Sequence, residues 1–376
     1  MKHKFDFVNV NLEKIKSRNL YRKLQDDKID GPYITFKRKK LINLCSNDYL
    51  GLHVNQIPKR QLQSSSRLVA GNDSSFRILE EKLARHKSQE SALIFPTGYM
   101  ANLGSVVTLA RKGDLILSDE LNHASIIEAC RLSGARIVVY RHNDTEDIER
   151  KLKQEAAHKF IVTEGIFSMD GDFSNLKEIA AIAARKDAIL VLDDAHGDFV
   201  TGVDGKGTAE HFGVARKIDV YISSLSKGLG AFGGYVASKK DVINLMINVS
   251  RPFIYTSSLP SSIVEFALKR FLSKRERRRK KLWRNVKLLH AGLESLGYEI
   301  SSSSQIIPII IGNEKITLQF GRHLFEKGVF AQPIRYPTVP LGLARIRISV
   351  TAWLSKDHID KSIDVFESVG KKFGVL

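Results

Sequence analysis

From about residue 91 onward, short apolar runs alternate with longer segments of helical period. The runs at 92–95, 115–117, 137–140, 160–163, 189–192, 220–223 and 235–237 are too short for helices and rich in Ile, Leu and Val. They read as buried strands. Segments 99–111, 124–132 and 176–184 carry apolar residues at helical spacing. That alternation predicts an α/β domain whose largely parallel sheet is covered by helices on both faces. Residues 1 to about 40 are polar and basic, with a helical stretch near 12–24 and a turn at Asp30-Gly31-Pro32. After about residue 250 a long charged helical segment precedes runs at 306–311, 329–331 and 344–350 and a final helix over 357–370. The expected organisation is therefore an N-terminal segment (1–45) packing with a small α+β domain (251–376), and a large α/β domain (46–250) between them.

Ligands in such sheets sit beyond the carboxyl ends of the strands. One strand ends in Ser223-Ser224-Leu225-Ser226-Lys227-Gly228, another in Asp193-Asp194-Ala195-His196-Gly197. A lysine beside small residues suits an amine that joins covalently to a carbonyl cofactor. A carboxylate at the neighbouring strand end suits a cationic ring nitrogen. Together they suggest pyridoxal phosphate, with Asp193 facing the ring nitrogen and Lys227 the aldehyde. Each piece has an ordinary reading too: Lys227 as a solvated loop residue, Asp193-Asp194 as a Mg²⁺ site or a strand end. The match Gly228-x-Gly230-x-x-Gly233 is not a dinucleotide fingerprint, because it leads into the strand-like Gly234-Tyr235-Val236-Ala237 rather than a helix. Thr97-Gly98 opens a helix, so its N–H groups and hydroxyl offer a phosphate cradle or a plain cap. His123 stands at another helix start, as a cap or as a ring-stacking group. Arg345 and Arg347 share one face of a strand and could hold a carboxylate or face solvent.

Composition narrows this further. The chain has 376 residues, 43% of them hydrophobic, enough for one large domain and a smaller one. No apolar run reaches the roughly 18 residues of a membrane span. The first residues carry no apolar signal region, and Cys45 and Cys130 are the only cysteines. A cytoplasmic protein without a cysteine-rich metal site is expected. The net charge of +18 is partly local, in Lys274-Arg275-Glu276-Arg277-Arg278-Arg279-Lys280-Lys281. That run is a solvated helix face, or it attracts an anionic substrate or an acidic carrier protein. No nucleic-acid motif accompanies it, which argues against nucleic acid as a partner.

The assembled motifs resemble the α-oxoamine synthases, pyridoxal-phosphate enzymes of the aspartate-aminotransferase fold (fold type I), over nearly the whole chain. The matching segments include Ser46-Asn47-Asp48-Tyr49-Leu50-Gly51-Leu52, 95–102, Asn122-His123-Ala124-Ser125, 163–172, 193–197, Ser226-Lys227-Gly228, 251–257 and 334–340. The resemblance implies a large domain with a mostly parallel seven-stranded sheet and pyridoxal 5'-phosphate as cofactor. It implies that Lys227 carries the cofactor, Asp193 pairs with the pyridine nitrogen and His123 stacks on the ring. His196 and Ser168 would reach the ring oxygen region, with Gly98, Tyr99 and Ser224 around the phosphate. The family's sites are shared in a homodimer, so Thr256 and Ser257 would contact the partner subunit's phosphate. Arg22, Thr338 and Arg347 match substrate-contacting positions. Met169-Asp170-Gly171-Asp172 and 334–340 point to the branch that condenses L-alanine with a pimeloyl thioester of coenzyme A or acyl carrier. A sister activity using glycine or serine is the alternative. The chain departs from the pattern at Phe76, where a histidine is common, and at Asp198, where a small residue is usual.

Overall fold

The computed structural model describes residues 6–21, 27–36, 38–52 and 65–376. Two compact units divide the chain. The larger comprises Asn47–Ser168 and Asp172–Lys280, the smaller Met1–Ser46, Met169–Gly171 and Lys281–Leu376.

The larger unit is built on a seven-stranded sheet. Its order is Ser91–Phe95, Gly234–Ser238, Val220–Ser224, Ile189–Asp193, Lys159–Glu164, Leu115–Asp119, Arg136–Tyr140. Every pairing is parallel except those of Gly234–Ser238, which runs antiparallel to both neighbours. The central apolar runs form strands because they are buried along their length; Leu115–Asp119 and Val220–Ser224 expose no residue on either face, whereas the edge strand Arg136–Tyr140 is largely exposed. Ile116, Val162, Val191, Ile222 and Val236 pack with Ala101, Val106, Ile126 and Ala129 of the covering helices. Each such aliphatic side chain contributes about 1.5–3 kcal/mol by leaving water. Gly228–Gly233 joins two strands of a hairpin, which is why it opens no helix. The turn closes through Leu225 N–H to Gly233 O (2.9 Å) and Gly230 N–H to Lys227 O (2.9 Å). Gly230 has φ 64°, a value that disfavours any side chain.

A fully buried cation braces this unit. Lys87 Nζ lies 3.1 Å from Asp194 and 2.8 Å from Asp198. Asp198 also accepts from Ser223 (2.8 Å) and Tyr235 (2.6 Å), and His86 Nε2 lies 2.9 Å from it. The unusual Asp198 therefore satisfies a buried lysine. Phe76, the other departure, is buried with the Arg67 guanidinium 4.2 Å from its ring centroid.

In the smaller unit, Ala344–Ser349 lies between Ile306–Gly312 and Gln332–Ile334, antiparallel to both. A second sheet holds Asp27–Asp30, Tyr33–Phe36, Lys39–Asn43 and Val329–Phe330. Three details differ from the sequence expectation. The first helix is Asp6–Ser17 and stops before residue 24, with Asn19 at φ 56°. The expected strand near 329 is Val329–Phe330 and pairs with Lys39–Asn43, and Asp27–Asp30, Tyr33–Phe36 and Lys39–Asn43 are strands where none was expected. Ala344–Ser349 is buried on both faces, arginines included. Arg345 Nη1 reaches Asp170 (2.5 Å) and Arg347 Nη1 donates to Ser349 Oγ (2.7 Å), so neither faces solvent.

Candidate active site

The larger unit gathers its polar side chains at the carboxyl ends of the central strands. Asp193 ends one strand and is paired in register with Glu164 at the end of the next. Its Oδ1 accepts from Ala195 N–H (2.9 Å) and its Oδ2 from Asn102 Nδ2 (2.7 Å). Asn102 sits one helical turn beyond Gly98, on the helix Gly98–Leu109, and its Nδ2 also donates to Ser125 Oγ (2.9 Å).

His123 is the N-cap of helix Ala124–Ser133 and lends its ring as the capping acceptor for Ser125 N–H. Its backbone N–H donates to Glu164 Oε1 at 2.6 Å. Burial pushes the imidazole's pKa below the ordinary value; the nearby Asp193 carboxylate opposes this and the Lys227 ammonium adds to it. Glu164 is pushed well above the usual carboxylate range by burial and by Asp193, with Lys227 opposing. Lys227, Asp193, His123 and Glu164 therefore share one electrostatic neighbourhood. His196 is buried, its Nδ1 2.7 Å from the Tyr49 hydroxyl, and Ser168 is buried on the loop after Lys159–Glu164.

The cradle beside Lys227 is made of backbone. A Cβ on Gly98 would stand 3.2 Å from Ser224 Cβ, and one on Gly234 only 2.5 Å from Gly98 N and Thr97 O. Small residues here bring a helix N-terminus against the Lys227 hairpin, the geometry that favours an anion. Thr97 Oγ1 caps Met100 N–H (3.1 Å), so its hydroxyl serves the helix. Ser224 Oγ lies 2.8 Å from Ser226 Oγ, and Tyr99 is exposed at the helix start. An amine, a carboxylate that accepts hydrogen bonds, an imidazole and an anion cradle suit a phosphorylated aromatic aldehyde with a protonated ring nitrogen.

The remaining candidates lie elsewhere. Thr256 is half-buried and Ser257 exposed, following the short helix Arg251–Ile254. Thr338 is exposed and Arg347 buried, both in the smaller unit. Arg22 lies outside the described residues. Sequence reasoning assigned no role to Asn102, Ser125, Glu164 or Tyr49. The available signals were a lone asparagine in an otherwise apolar helix and a glutamate ending a strand adjacent to the Asp193 strand.

Residues 39–366 match the family model described as aminotransferase class I and II. The 8-amino-7-oxononanoate synthase of Thermoanaerobacter pseudethanolicus is 42% identical, across 100% of this chain and 99% of that protein. The synthase of the same name from Treponema denticola is 39% identical over the same shares. Among solved structures, Sphingomonas wittichii serine palmitoyltransferase superposes with a TM-score of 0.92 at 31% identity, covering 99% of this chain and 98% of that one. The 8-amino-7-oxononanoate synthase of Francisella tularensis gives a TM-score of 0.75 at 26% identity, covering 89% and 99%. The chain belongs to the class I and II aminotransferase family, and within it to the α-oxoamine synthases.

Proposed function

We propose that this chain condenses L-alanine with a pimeloyl thioester, releasing carbon dioxide and free thiol, to form 8-amino-7-oxononanoate in biotin synthesis. The observation that carries the reading is full-length identity of 36–42% to synthases of that name from several bacteria. When bound, pyridoxal 5'-phosphate supplies an electron sink for a carbanion at the amino acid's Cα. Lys227 would hold the cofactor through its amine, and that amine, when free, would be the base for the amino acid's Cα proton. Asp193 keeps the proton on the ring nitrogen, since an adjacent negative charge favours the cationic form. His123 would stack on the cofactor ring, while His196 and Ser168 would bind its ring oxygen. Gly98, Tyr99 and Ser224 would hold the phosphate, and Thr256 and Ser257 from a second copy would complete that site, so the working unit would be a homodimer. Arg22, Thr338 and Arg347 contact substrate, with Arg347 orienting the alanine carboxylate.

Among the described residues no helix is long and apolar enough to cross a membrane. A cytoplasmic location accords with that.

A second reading has one observation in its favour. Serine palmitoyltransferase gives the higher TM-score, 0.92 against 0.75. A sister enzyme using serine or glycine would fit that. Sequence identity favours alanine. Assay with pimeloyl-CoA and each amino acid separates the two: thiol and carbon dioxide release should be fastest with alanine. Preference for glycine or serine by tenfold or more would overturn the assignment.

A further inference from the structure

Four side chains, two of them in the proposed cofactor site, form a hydrogen-bond line from Asp193 through Asn102 and Ser125 to His123. Asp193 accepts at both oxygens, from Ala195 N–H and from Asn102 Nδ2. That fixes the Asn102 amide, because the reverse orientation would set a carbonyl oxygen against a carboxylate. Both hydrogens of Asn102 Nδ2 are then directed, one to Asp193 at 2.7 Å and one to Ser125 Oγ at 2.9 Å. Ser125 Oγ lies 2.7 Å from His123 Nδ1, and if that nitrogen accepts, the hydroxyl hydrogen is free to point to it while the oxygen receives from Asn102. The backbone N–H of Ser125 faces the same Nδ1 at 3.2 Å and can only donate. Asn102 and Ser125 are 2% and 1% exposed, so water does not compete for the bonds that Asn102 makes to Asp193 and Ser125, whereas His123 itself is exposed.

We infer that Asn102 and Ser125 are positioning residues that hold His123 in the tautomer with Nδ1 unprotonated and the hydrogen on Nε2. His123 then presents a hydrogen-bond donor at Nε2 and no free base there. Desolvation of the ring shifts its pKa downward, which favours the neutral form. Asp193 and Lys227 bear on the ring with opposite sign, and Glu164 holds the residue's backbone N–H. Which substrate atom receives the Nε2 hydrogen rests on the proposed function; the tautomer does not.

The test uses full-length protein labelled with ¹⁵N-histidine, with and without cofactor, the His123 signals assigned by their loss in His123→Gln. Wild type should show a protonated Nε2 and an unprotonated Nδ1. Ser125→Ala and Asn102→Ala should each raise the Nδ1–H fraction and shift the pH at which the ring titrates. Ser125→Thr, which keeps the hydroxyl, should restore both. In turnover, the two alanine variants should lose about tenfold in kcat, the worth of roughly one hydrogen bond, with KM for the amino acid within twofold. An Nδ1–H tautomer in wild type would overturn the inference, as would His123 signals that neither variant moves. If an alanine variant fails to fold, the wild-type tautomer and the Ser125→Thr spectrum still decide. A responsive tautomer in a protein that condenses no amino acid would retain the line and reject the proposed reaction.

Discussion

At the residue scale, Glu164 and Asp193 end adjacent strands side by side. Glu164 is driven up by burial and by Asp193. Its folded-state value lies above the unfolded one, so the folded protein keeps a proton that the unfolded chain has released. The resulting stability is present at low pH and declines as pH rises through the folded value. Glu164→Gln, which keeps an acceptor for His123 N–H without the charge, should match or exceed wild type in Tm at pH 8. Glu164→Ala should lose about 1 kcal/mol by removing the acceptor of that part-buried N–H. Thermal melts of the cofactor-free variants check both. His142 is shifted in the same direction, but by its carboxylate partners and against burial. Burial opposes its charge, but hydrogen bonds to Asp119 (2.9 Å) and Asp172 (2.7 Å) outweigh it and raise the pKa to about 10. This stabilisation is complete below the unfolded value near 6.5 and lost as pH climbs through about 10. The Tm difference between wild type and His142→Gln should therefore shrink steadily between pH 7 and 10. A constant difference would contradict the charged clamp.

At the scale of elements, the central strands were legible because parallel strands buried on both faces read as unbroken apolar runs. The hairpin that holds Lys227 was legible for the related reason that Tyr235-Val236-Ala237 has strand character after a glycine-rich turn. Burial of Arg345 was not, because its ion-pair partner Asp170 lies 175 positions away; Arg347 finds Ser349 on the same face of its own strand, but alternation alone does not say that this face is buried. Asn102 escaped for the same reason as Arg345: its partners Ser125 and Asp193 are 23 and 91 positions away. Where elements meet, backbone proximity dominates. Gly234→Ala would set a Cβ 2.5 Å from Gly98 N, forcing the helix N-terminus off the hairpin. Cofactor affinity should fall by tenfold or more while far-UV circular dichroism stays native; unchanged affinity would refute the cradle.

At the scale of the whole molecule, the +18 charge partly resolves into ordinary architecture. Arg278 donates to Leu50 O (2.6 Å) and Gly51 O (2.9 Å), and Arg279 to Gly202 O (3.1 Å) and Val203 O (2.5 Å). Lys274, Arg277 and Lys280 remain exposed. Sequence could not separate these roles, since the acceptors are carbonyls far away along the chain. Arg278→Ala should lower Tm by several degrees, whereas Lys280→Ala should leave it within about 1 °C. Equal effects would mean that the run acts only as a diffuse charge.

The account turns on Lys227 as the attachment point of the cofactor. Purified protein loaded with pyridoxal 5'-phosphate, reduced with borohydride and digested, should yield one pyridoxyl-labelled peptide, modified at Lys227. A label on any other lysine, or an unmodified Lys227 in active loaded protein, would contradict it.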